Sequence, residues 1–372
     1  MASQKNVSSG YFIHAVAGTL NQLSAITILE NLHLENERQY SLLEVAVMND
    51  HLDQIPRIAL TQENMTRRGT RDGTTPLYKA LYSGTKNGAL VAHLLTLENV
   101  TAAQRRGRTI LHEHTKFIPK ELLTAETISI EDDEKNTPIH TQIGSWPINL
   151  LTQERISKKN TNGDTPLHAA AKNGELHKIP TKLLTKANML MPNSTGQTPL
   201  HFACMADDNI QTPPTSLPKS NEPYYIPFHL FGPEDMLAID MRGNTILHCL
   251  AITNNIWRAP TRLLSKENLT QLNAKHVTPL HTIAEFFDIE SIPMELLTEQ
   301  ALTIQDRNTT TVLDRLSAYG KLDQLLGIKL SESCRALVGD EWFDKNADYI
   351  KQIDQTREAL ENPEIETSID LF

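Results

Sequence analysis

Histidine is the residue type whose placement here most invites a chemical reading. Six of the fourteen, His112, His140, His168, His201, His248 and His281, each close a Thr-x-x-His tetrapeptide. Imidazoles ligate zinc and relay protons, so such a series is first a candidate metal or acid–base array. Spacing argues against it. The intervals are 28 or 33 residues, with one of 47, which places each histidine in a different copy of a repeat. Packed helices lie roughly 10 Å apart, whereas the ligands of one zinc ion lie about 2 Å from it. No phosphate-cradling glycine loop, paired zinc-ligand motif or nucleophile elbow occurs. No catalytic, cofactor-binding or metal-binding residue is therefore assigned. Cys204 and Cys249 fall at small-residue helix positions and read as buried thiols of a reducing compartment; Cys334 has no evident partner.

The elements that position the histidines are clearest between Asn160 and His201. Thr165-Pro166-Leu167-His168 returns 33 residues later as Thr198-Pro199-Leu200-His201. Ala169 to Ala171 begin a helix small enough to pack closely on a neighbour. Gly174 supplies its C-cap, and Pro180 sits at the first turn of a second helix with an apolar Leu183-Leu184 face. Asn162-Gly163-Asp164 turns the chain back to Thr165, whose hydroxyl caps the next helix. A unit this small cannot bury its apolar face alone and must stack. The same anchor stands at Thr75-Pro76-Leu77-Tyr78, Thr109-Ile110-Leu111-His112, Thr137-Pro138-Ile139-His140, Thr245-Ile246-Leu247-His248 and Thr278-Pro279-Leu280-His281. Phe12-Ile13-His14 reads as a worn first copy, and Val312-Leu313-Asp314 as a worn last one.

Seven registered anchors, the 33-residue period and the turn–helix–helix order resemble the ankyrin repeat. The resemblance implies an all-α solenoid of about nine to ten helix–turn–helix units with short hairpin-like turns. It implies that the anchor histidines tie neighbouring backbone together, and that function is protein binding along turn tips and first helices. The chain departs from the commonest form after the second helix, where Leu60-Thr61-Gln62-Glu63-Asn64 and Leu264-Ser265-Lys266-Glu267-Asn268 predict an extra, Thr- or Ser-capped turn.

The expected division is a helical cap or degenerate repeat over 1–40, the solenoid over 41–327 and an acidic helical tail over 328–372. Two copies are short, from His112 to His140 and from His140 to His168, because the first helix there has room for about one turn. The 47-residue interval carries an insertion at about 207–227 with Pro213, Pro214, Pro218 and Pro223, which reads as an extended surface loop. Residues 340–361 read as a charged helix stopped by Pro363.

Net charge is −10, of which −7 falls in residues 331–372. The nearly neutral body disfavours general nucleic-acid binding. No apolar run approaches the roughly 20 residues of a membrane helix, and the N-terminus reads as a capping helix rather than a signal peptide. The expectation is a cytoplasmic monomer without cofactor. Glu358, Glu361, Glu364 and Glu366 before Ile369-Asp370-Leu371-Phe372 are similar to export signals of bacterial type IV secreted effectors, many of which carry such repeats. That resemblance implies delivery into a host cytoplasm; a capping helix with a solvated tail accounts for the same residues.

The candidate partner-binding residues lie on turn tips. Arg67, Arg68 and Arg71 share one tip, and Arg105, Arg106 and Arg108 share the next. Six guanidiniums there suit an acidic segment, a phosphate or an anionic headgroup. Tyr224, Tyr225 and Phe228 at the insertion are aromatic anchor candidates. Two alternatives stay open: an enzymatic activity in the terminal regions, and binding of anionic lipid or nucleic acid through the arginine tips.

Overall fold

The computed structural model describes residues 2–69, 71–83, 85–113, 117–206 and 224–361. Among these no strand forms; isolated antiparallel bridges at Glu35–Ser41, Ile239–Thr245 and Gln305–Thr311 close hairpin-like turns between helical segments. The fold is the expected all-α repeat solenoid. It divides into two compact units, Met1–Ala170 with Lys178–Leu183, and Ala171–His177 with Leu184–Phe372.

The Thr-x-x-His copies open on a cap in which the histidine accepts the threonine N–H. In Thr198–His201 the hydroxyl of Thr198 accepts from the His201 N–H at 3.3 Å, and His201 Nδ1 accepts from the Thr198 N–H at 3.1 Å. Two of the orphan donors at the start of helix Pro199–Met205 are thereby satisfied. At Ser41-Leu42-Leu43-Glu44 and at the worn last copy, Thr311-Val312-Leu313-Asp314, Glu44 and Asp314 take the histidine's place in the box.

The second element departs from expectation. Around Pro180 there is no α-helix but two isolated 3-10 turns, Leu176–Lys178 and Thr181–Leu183. Proline lacks the N–H a continuous helix needs and drives the preceding residue towards extended backbone. Pro56, Pro119, Pro147, Pro260 and Pro293 all lie at φ between −55° and −52° and ψ between 129° and 137°. Each ends one turn and opens another. Where Val91 replaces this proline, an α-helix, Thr85–Val91, forms instead. The extra capped turn after it is present: Thr61, Thr152, Thr185, Ser265 and Thr298 each accept from the N–H three residues on. The shortened first helices are a 3-10 turn, Ile110–His112, and a five-residue helix, Pro138–Gln142.

In the first unit, helix Ala2–Ala17 lies against Leu42–Met48 and buries Phe12 and Ala15. Because that helix begins at Ala2, His14 sits in its last turn and contacts Thr19 at 2.8 Å. It closes no capping box, so the reading of Phe12-Ile13-His14 as an anchor copy is corrected. In the second unit, helices Arg335–Val338 and Asp340–Glu361 follow the last copy. Trp342 is buried and its indole donates to the Leu322 carbonyl at 2.9 Å. Asn346, also buried, donates to Ile328 O at 2.8 Å and accepts from Gly327 N at 2.7 Å. Residues 207–223, with the four prolines of the insertion, and residues 362–372, with Pro363 and the end of the acidic tail, lie outside the described residues. The register of the repeat resumes at Ile226-Pro227, the counterpart of Ile179-Pro180.

Candidate functional site

The six anchor histidines are buried, and five of them, His112, His140, His201, His248 and His281, are held at both nitrogens. Nδ1 accepts the N–H of the cap threonine at 2.9–3.3 Å in all six. Nε2 therefore carries the proton, and it donates to a carbonyl of the following turn: Asn136 from His112, Lys158 and Asp164 from His140, Asn244 from His201, Val277 from His248 and Thr310 from His281. Burial holds the His140 imidazole down at about 4 and lowers those of His112, His248 and His281 below the usual histidine value. These are neutral struts between successive copies. Among the described residues no group of three or more His, Cys, Asp or Glu is placed to hold one metal ion. All three cysteines are buried free thiols. Burial pushes Cys204 up to about 12 and raises Cys249 and Cys334, so none is a ready nucleophile.

The second of the two arginine tips lines a cavity. A pocket of about 840 Å³ in the first unit is lined by Arg105, Arg106 and Arg108, by Lys79, and by Tyr40, Tyr78 and Tyr82; Met48, Asp72, Thr74 and Glu113 complete it. Two of its cations are neutralised in place. Lys79 meets Glu44 at 2.5 Å and Asp72 at 3.2 Å, and Arg108 meets Glu113 at 3.1 Å. Tyr78 donates to Glu113 at 2.7 Å, and burial together with that carboxylate raises its phenol well above the usual value. Arg105 and Arg106 are exposed and have no acidic partner among the described residues.

On the first tip, Arg68 donates to Gly73 O and Ala103 O, and Arg71 donates to Arg38 O and lies 4.9 Å from the Tyr40 ring centroid. Both serve the scaffold, and Arg67 is exposed beside them without lining the pocket. At the insertion, Tyr224 and Tyr225 are half-buried. The Tyr224 N–H donates to Gly174 O at 2.9 Å, its carbonyl accepts from Arg258, and the Tyr225 hydroxyl meets His229 at 3.3 Å. Phe228 and Phe231 are core residues, 6% and 3% exposed; with the repeat register restored, they occupy the places of Thr181 and Leu184. They share no helix face, since Phe228–Leu230 is a single 3-10 turn that ends at extended Phe231.

Tyr40, Tyr82, Lys79 and Glu113 were not singled out by sequence. Tyr78 gave a signal, as the one residue other than histidine in the seven anchors.

The comparisons agree with this architecture. A family model described as ankyrin repeats (3 copies) matches residues 147–212. No curated protein matches the chain. No helix among the described residues is long and apolar enough to cross a membrane. Ankyrin repeats serve in general as protein-interaction scaffolds and are typically non-enzymatic. With its Thr-x-x-His struts, hairpin-like turns and stacked short helices, the chain carries ankyrin repeats over residues 147–212.

Proposed function

We propose that the chain is a non-enzymatic scaffold that binds a partner protein at the Arg105–Arg106 pocket of its first unit. The observation that carries this reading is the pair of exposed, uncompensated guanidiniums over a wall of three tyrosines. Arginine and tyrosine dominate interface hot spots because they offer large contact area and directed donors at modest entropic cost. The hydrogen-bonded turns hold them in place before binding, which limits the ordering cost. In the same reading residues 1–40 and 328–372 are caps that cover the apolar ends of the stack. Delivery into a host cell belongs to this proposal through the acidic end alone; a secretion assay in which deleting residues 358–372 leaves transfer unchanged would remove it.

The test is affinity capture from eukaryotic and bacterial lysates, with wild type beside R105E/R106E. A stoichiometric partner lost from the variant is the expected result. Since close charge pairs couple by at least about 1.5 kcal/mol each, reversing both charges should weaken binding more than about 100-fold. A partner held equally by both proteins would place the interface elsewhere.

A further inference from the structure

Building on that reading, we infer that the pocket takes an extended acidic segment bearing an aromatic side chain, and that Arg106 recognises its carboxylate. Seven turns obey one rule. Asn36, Asp132, Asn160, Asn193, Asp240, Asn273 and Asp306 open their turns, and in each the side-chain oxygen accepts from the N–H groups two and four residues on. At the pocket the opening residue is Gln104, and it does something else. Its Oε1 accepts the N–H of Thr75 at 3.0 Å, in the preceding copy.

That acceptor role belongs to the anchor histidine in the six Thr-x-x-His copies. Here the anchor is Tyr78, which reaches Glu113 instead. The two departures are therefore one exchange: tyrosine replaces histidine, and glutamine leaves its own turn to supply the missing acceptor. The N–H groups deprived of an Asx partner are those of Arg106 and Arg108, and Arg108 donates to Arg105 O at 3.3 Å instead. Arg106 lies at φ 58°, ψ 32°, directly before Gly107 at φ 70°. The residue in Gly107's place has positive φ in the other turns too: Gln39, Gly73, Lys135, Gly163, Gly196, Gly243, His276 and Thr309. Among the described residues, Arg106 is the one at its own turn position that does. An arginine adopts this region at a cost. The result is that two successive arginines line one cavity.

The chemistry of the occupant follows from what remains unpaired. Lys79 and Arg108 are compensated, so the free charge is that of Arg105 and Arg106, suited to carboxylates through planar, charge-assisted bonds. Asp72 and Glu113 in the same lining repel a compact dianion such as phosphate more than a single carboxylate. Tyr82 and Met48 offer a ring face and a thioether to an aromatic side chain; Tyr82 is 61% and Met48 48% exposed, whereas the Tyr40 ring is already met by Arg71 and Lys79.

The experiment is fluorescence polarisation on the full chain with a labelled octapeptide alternating Glu and Phe, together with melting curves. The wild type should bind it, and Gln-for-Glu or Ala-for-Phe peptides should bind at least about 10-fold more weakly. R106A should lose at least about 10-fold with an unchanged melting temperature, because alanine keeps the strained backbone. R106G should lose as much but melt about 2 °C higher, because glycine relieves it. R106A binding like wild type, or R106G melting no higher, would overturn the inference. So would inorganic phosphate or phosphatidylserine vesicles displacing the peptide more effectively than excess unlabelled peptide does. A lysate partner lost from R105E/R106E beside a peptide that does not bind would sink this inference and leave the scaffold reading standing.

Discussion

Lowering the pH from 7.5 to 4.5 is expected to destabilise this protein through its histidine struts. The folded imidazole of His140 titrates at about 4, and those of His112, His248 and His281 are also depressed by burial. In the unfolded chain all return to about 6.5. Above that value both states are neutral and the full stability is present. As pH falls below it the unfolded chain takes up protons that the folded chain refuses, so stability drops until the folded value is reached. For His140 alone the loss is about 2 kcal/mol at pH 5 and about 3 kcal/mol once pH passes 4. The other three add to it in the same direction. Thermal or urea melts at pH 7.5, 6, 5 and 4.5 should show a monotonic fall, and H140Q, less stable at pH 7.5, should show a shallower one. Melts that stay flat between pH 7.5 and 5 would mean that the struts do not carry the load assigned to them.

The second large effect is W342A, expected to cost about 3–5 kcal/mol. The Trp342 ring is buried and its indole N–H is spent on the carbonyl of Leu322. Removing it opens a cavity under helix Asp340–Glu361 and leaves that carbonyl without its donor. W342F, which keeps most of the packing and loses the hydrogen bond, should cost about 1 kcal/mol. Hydrogen exchange locates the damage: amides of residues 335–355 should lose protection in W342A before those of helix Ile246–Ile252. Uniform loss across the second unit would show that this helix is part of one cooperative core rather than a cap.

The anchors were legible because a Thr-x-x-His box is local. Its capping bonds span three residues, so the tetrapeptide specifies them wherever it occurs. The extra Thr- or Ser-capped turn was legible for the same reason. A second helix is expected from the apolar Leu183-Leu184 pair with Pro180 at its first turn, and the structure forms only a 3-10 turn, Thr181–Leu183, there. Seven prolines at one register exclude a helix that runs across it. Phe228 looked like an anchor beside a loop; the returning Ile226-Pro227 pair was the sign that it had re-entered the repeat and the core.

Sequence alone therefore determined the repeat, its caps, its short copies and the residue types at each turn tip, because all of these depend on contacts a few residues apart. It placed six arginines on two tips and gave no means of ranking them. Tertiary structure decided that Arg68, Arg71 and Arg108 are tied to carbonyls or a carboxylate, that Arg105 and Arg106 are left free, and that Tyr40 and, from the next copy, Tyr78 and Tyr82 wall the space beside them. Those outcomes rest on hydrogen bonds and packing between residues some 30 positions apart, such as Gln104 to Thr75 and Tyr78 to Glu113. Pairings at that distance are set by how copies stack, which no local pattern encodes.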